Sequence, residues 1–140
     1  MPSALKLTLA ASAIAASTLG WNLPTAARPY PDRLGICYFY RGEIQETLEP
    51  CVIGSGYGAG AHYTTLHWSD GVVTRIYLIN ACEPDEFDAR GFCEYTVDDS
   101  VADAYERDVF LEITTVEDPD NLSCYRVVET DNSVCFRFDG

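Results

Sequence analysis

The sequence predicts a mostly β protein: a small antiparallel β-barrel or sandwich of hairpins, stapled by disulfides, with at most one short helix. Three observations carry that expectation. Short runs rich in Val, Ile, Tyr, Phe and Thr recur along the chain, separated by Gly, Pro, Asn and Asp. One pair of runs flanks Asp70-Gly71, a strong hairpin-turn dipeptide. Six Cys follow a segment with the marks of an export signal, and an even number there reads as a disulfide framework.

The 140 residues divide in two. Residues 1–27 read as a secretory signal peptide. Lys6 is a short positive region, residues 7–19 are small and apolar, and Thr25-Ala26-Ala27 offers small residues for cleavage after Ala27. The apolar run is too short to span a bilayer, which takes about 20 residues. Residues 28–140 read as one disulfide-rich β domain. They hold eight Arg, no Lys and all 22 acidic residues, a net charge of −14 against −13 for the whole chain. A secreted or periplasmic protein is expected.

Residues 28–34 form a lead-in with two Pro. Residues 36–40 (ICYFY) read as a strand. Arg41-Gly42 turns the chain into a second strand over 43–48, stopped by Pro50. Four Gly at 54, 56, 58 and 60 read as a flexible connection that can present backbone N–H groups. The hairpin 63–69 and 72–79 follows. A three-residue loop, Ser69-Asp70-Gly71, gathers Leu66, Trp68, Val72, Ile76 and Leu78 on one apolar face. A two-residue loop would slip the register and mix the faces. Residues 80–94 read as a polar loop and 95–97 as the start of a strand. Residues 98–108 read as a short helix capped by Asp99 or Ser100. Residues 109–116 read as a strand, 117–121 as a turn, and 124–128 with 134–138 as a closing hairpin.

The cysteines are Cys37, Cys51, Cys82, Cys93, Cys124 and Cys135. Six Cys allow 15 connectivities. The short gaps favour three local bridges, Cys37–Cys51, Cys82–Cys93 and Cys124–Cys135, each stabilising by about 3 kcal/mol in the chain-entropy model. No CxxC pair points to a zinc or redox site.

Acidity excludes several partners. A nucleic-acid binder needs a basic face, and an anionic membrane surface would repel this chain. No catalytic residue is assigned. His62 and His67, five apart on one strand, point to opposite faces, and Gly54-Ser55-Gly56 lacks the frame of a nucleophile elbow. Gly54-x-Gly56-x-x-Ala59 matches a dinucleotide pattern only loosely, because a hairpin and not a helix follows. No cofactor and no metal are expected. The acidic segment 83–120, with fourteen acids against Arg90 and Arg107, is the basis of an alternative reading. There the protein is a Ca²⁺-linked or structural envelope or extracellular-matrix protein, although no EF-hand spacing is present.

Residues 55–63 (SGYGAGAHY), followed by Trp68-Ser69-Asp70-Gly71 and Val72-Val73-Thr74, resemble the periplasmic inhibitors of C-type lysozyme. In that family a Ser-Gly loop with a following Tyr precedes a strand, an aromatic-x-Lys-Gly turn and another strand. The resemblance implies an exported antiparallel β-barrel whose loop Ser and turn Lys enter the lysozyme cleft. Here the Lys position is Asp70, so the Ser55 role carries over and the Lys role does not. The expected function is therefore a non-enzymatic binding protein, an inhibitor of a basic cell-wall hydrolase such as lysozyme in its sharpest form. Ser55, Tyr57, Tyr63 and Asp70 are the expected contact residues. A chain of this charge is steered toward a basic protein partner.

Overall fold

Alternation of apolar and polar residues dictates strands, and a computed structural model, which describes residues 28–139, shows nine of them. They are β1 (Arg28–Arg41), β2 (Ile44–Gly58), β3 (Ala61–His67), β4 (Val73–Ile79), β5 (Glu94–Val97), β6 (Ser100–Arg107), β7 (Ile113–Thr114), β8 (Leu122–Val127) and β9 (Ser133–Phe138). The proposed signal peptide, residues 1–27, lies outside the described residues.

All strands belong to one antiparallel sheet in the order β5-β4-β3-β2-β1-β9-β8-β6-β7. β5 also pairs with β6, which closes the sheet into a ring. β5 and β7 share one edge of β6, and closure rests on three residue pairs, Tyr95↔Ala102, Thr96↔Val101 and Val97↔Ser100. The shape is ring-like rather than a regular barrel.

One face of every long strand fills the ring. Cys37, Cys51, Ile53, Leu66, Ile76, Tyr95, Val97, Ala102, Tyr125, Val134 and Phe136 form this inner core. Small residues on β6 make room for large ones across from them. Ala102 faces Tyr95, and Ala104 faces Tyr125. A second core lies on the outer face of β1, β9, β8 and β6. It contains Tyr38, Tyr40, Leu122, Cys124 and Cys135, with Ile36, Tyr105 and Leu111 against them.

The three local disulfides are all present, Cys37–Cys51, Cys82–Cys93 and Cys124–Cys135. They fit an oxidising compartment. The first joins β1 to β2 inside the ring. The third joins direct cross-strand partners on its outer face. The second ties the 80–93 connection, which holds one turn of 3-10 helix at Pro84–Glu86. Among the described residues no helix is long and apolar enough to cross a membrane.

Four local expectations are corrected. The glycine run is strand, not a flexible connection: β2 continues to Gly58 and turns at Ala59-Gly60, both at positive φ. Gly54 is required by close approach, since a Cβ there would meet the Thr65 hydroxyl at 2.5 Å. Pro50 does not stop β2. It pairs with Ile36 at an exposed position before β3 joins at Val52, an edge site that Pro tolerates. Residues 98–108 form no helix. Asp98 and Asp99 sit at φ 47° and 68° and make a tight turn, and β6 follows. Its Ala102 and Ala104 fill gaps between aromatic rings, a tertiary demand that overrides helix propensity. Finally, the strand expected over 109–116 shrinks to Ile113–Thr114 because Leu111, at φ 66°, turns the chain.

Candidate functional site at the mouth of the ring

Three connections and the start of β2 gather at one end of the ring. The first is the β3–β4 turn. The Trp68 N–H donates to the Val72 carbonyl, and the Gly71 N–H, at φ 88°, donates to that of Trp68. This is the three-residue loop Ser69-Asp70-Gly71 expected from the apolar face. The others are the Asp98-Asp99 turn, the 128–132 connection and the start of β2. Between them opens a pocket of about 570 Å³.

Its walls come from the inner face: Phe39, Trp68, Val97, Val127 and Val134. Its rim carries three carboxylates, Glu49, Asp70 and Asp98, together with Ser100, Thr130 and Asn132. No Arg among the described residues lines it. Each carboxylate is braced by a backbone N–H, Asp70 within its own turn and the other two from a neighbouring element. Glu49 accepts hydrogen bonds from the Ser69 N–H at 2.9 Å and the Ser69 hydroxyl at 2.7 Å, clamping the β3–β4 turn to β2. Asp70 accepts from the Val72 N–H, and Asp98 from the Arg75 N–H, both at 2.9 Å through one oxygen. Their second oxygens have no hydrogen-bond partner among the described residues. The Trp68 indole N–H donates to the Thr74 hydroxyl at 2.9 Å, which fixes its ring in the wall. The mouth is thus preformed: an apolar chamber with oriented negative charge at its opening. Such a chamber can hold an apolar body that bears a cation.

The expected contact residues do not share one surface. Asp70 stands at the mouth. Ser55 and Tyr57 lie toward the other end of the ring, on its inner face with Ile53. There Tyr57 meets Tyr30 at 5.9 Å and His62 at 5.7 Å, between ring centres. Tyr63 points to the outer face, opposite Gly56 and beside Tyr77 on β4. The seven residues of β3 put about 20 Å between the two ends. His62 and His67 stay apart as expected, with His62 between Tyr57 and Phe92 and His67 beside the Thr65 hydroxyl.

Sequence reading missed Glu49 and Asp98 at the rim. Glu49 was within reach, because two-residue alternation back from Cys51 and Ile53 puts it on the inner face. Asp98 was hidden by the expected helix. Within the acidic segment three aspartates serve the backbone. Asp88, Asp108 and Asp118 each accept the N–H of the residue two places on, building turns. Among the described residues, the one grouping of potential metal-ligating side chains is Cys82, Glu86 and Cys93, and both its sulfurs are spent in a disulfide.

The fold and the mouth together define a disulfide-stapled, ring-like antiparallel β protein with a preformed acidic-rimmed cavity. Comparison with protein-family models, curated proteins and solved structures returns no match for the chain.

Proposed function

We propose that this is a secreted or periplasmic, non-enzymatic binding protein that captures a basic protein at the mouth of its ring. One observation carries the reading: Glu49, Asp70 and Asp98 surround the opening of an apolar chamber that no Arg among the described residues lines. The net charge of −14 over residues 28–140 supports it by steering cationic partners toward the chain. Export is supported by the charged and apolar pattern of residues 1–27 and by three disulfides.

The sharpest form is inhibition of a basic cell-wall hydrolase such as C-type lysozyme. Asp70 then pairs with a cationic side chain at the edge of the partner's cleft, and not with its catalytic carboxylates. The test is titration of the protein into a lysozyme lysis assay at low and moderate salt. Micromolar inhibition is expected, weaker at moderate salt and weaker again in Asp70→Lys. No inhibition at micromolar concentration at either salt overturns the lysozyme form. The Ca²⁺-linked alternative draws on the acidic segment 83–120, where Asp88, Asp108 and Asp118 are already engaged in turns.

A further inference from the structure

The mouth chamber is too large for the tip of one basic side chain alone. At about 570 Å³ it falls within the range of small-molecule sites, roughly 300–1,000 Å³. We infer that it is a binding site for a small organic cation, an ammonium group carried on an aromatic or aliphatic body. This goes beyond the capture of a protein partner and does not depend on it.

The chemistry of the lining sets the class of ligand. Phe39, Trp68, Val97 and Val134 bury an apolar body. Trp68 lines the chamber and is held by its bond to Thr74, so its ring adds apolar surface without ordering cost. The second oxygens of Asp70 and Asp98 provide charge-assisted acceptors at the opening. An anionic ligand meets three carboxylates and is repelled. A neutral polar ligand such as a sugar meets hydroxyls at Thr47, Thr74 and Ser133 but leaves the three rim carboxylates without a counter-charge. An organic cation satisfies both halves of the site at once.

Trp68 also supplies the readout. The chain has two Trp, at 21 and 68, so Trp21→Phe in the full chain leaves Trp68 as the only indole. The probes are 3-phenylpropylamine, a cation at neutral pH, its neutral analogue 3-phenylpropanol, and the anion 3-phenylpropionate. The amine is expected to shift Trp68 emission saturably and to raise the melting midpoint. The alcohol should bind about tenfold more weakly and the carboxylate more weakly still. Asp70→Asn and Asp98→Asn, both at exposed turns, should each weaken the amine about fivefold and leave the alcohol unchanged. Equal affinity for amine and alcohol overturns the inference. So does an amine response that survives both substitutions together, or one that fails to saturate by about 10 mM.

Discussion

Arg107 is 5% exposed, at the end of β6, in a protein with few cations. Its guanidinium lies 4.1 Å from the centre of the Tyr40 ring and 5.4 Å from that of Tyr105. It donates to the Leu111 carbonyl at 2.9 Å, while its Nε and the Tyr40 hydroxyl have no partner among the described residues. Glu43 answers the charge only at 3.7 Å, from an exposed turn. The side chain therefore contributes chiefly as packing between rings, and its buried charge gains little. Arg107→Met keeps the stem and should leave stability within about 1 kcal/mol of the parent. Arg107→Ala removes the stem and should cost about 2–3 kcal/mol. Urea midpoints at unchanged slope separate the two. Asp88 shows the opposite economy, an exposed charge that is well used. Burial would raise its carboxyl, but hydrogen bonds from the Tyr95 hydroxyl and the Phe92 and Arg90 N–H groups outweigh that and hold it below the usual carboxylate range. A lowered carboxyl stabilises above its ordinary pKa near 3.8 and loses that contribution as pH falls through the lowered value. Asp88→Asn should therefore cost about 1 kcal/mol at neutral pH, a figure discounted for solvent exposure. The gap to the parent should close in melts below the ordinary carboxylate pKa.

Four of the connections between strands are built by aspartates. Asp70, Asp88, Asp108 and Asp118 each accept a backbone N–H two residues on, which closes a local ring without a second chain. The Asp98-Asp99 turn is different, because both residues take positive φ. Asp98 has a second duty at Arg75, but the Asp99 side chain has no hydrogen bond. Asp99→Gly should stabilise the protein by about 0.5–1 kcal/mol, read as a higher melting midpoint. An unchanged or lowered midpoint would show that Asp99 is not strained. These turns also explain what could be read from the sequence. Asp70-Gly71 announced its hairpin because turn chemistry and the apolar face of Leu66, Trp68 and Ile76 agreed. Cys spacing announced the bridges because each joins a hairpin or a single connection. Gly54 misled because its reason is the Thr65 hydroxyl on the neighbouring strand, which no local pattern reveals. Residues 98–108 misled because Ala, Glu and a capping Ser favour helix locally, while Tyr95 and Tyr125 require small strand residues across from them. The mouth was legible only at Asp70. Its other carboxylates meet Asp70 through the pairing of β2 with β3 and of β4 with β5, a matter of register that no local pattern reveals.

Ring closure couples the tyrosines into a shared response to alkali. Burial pushes the hydroxyls of Tyr40, Tyr95 and Tyr125 above the ordinary phenol value of 10.0. At Tyr95 the hydrogen bond to Asp88 and the Asp88 charge add to the rise. At Tyr40 and Tyr125 nearby Arg charge opposes it without reversing it. In each case the folded state holds the proton more tightly than the unfolded chain does. Their contribution is complete below pH 10.0 and is lost as pH rises toward the raised values, because unfolding then releases protons. Each group can steepen the fall by at most about 1.4 kcal/mol per pH unit. Two of the three sit in the inner core and one in the outer, so neither core escapes. Stability from urea midpoints should be nearly level from neutral pH to about 10 and then fall steeply. Tyrosinate absorbance from these three should rise together with unfolding. Tyr125→Phe keeps the ring packed between Tyr95 and Phe136 and removes one proton from the account. Its alkaline slope should be shallower by about a third. A slope equal to the parent's would mean that Tyr125 ionises without opening the ring. All six cysteines are bridged, so no free thiol is present to start disulfide exchange at the pH where this is measured.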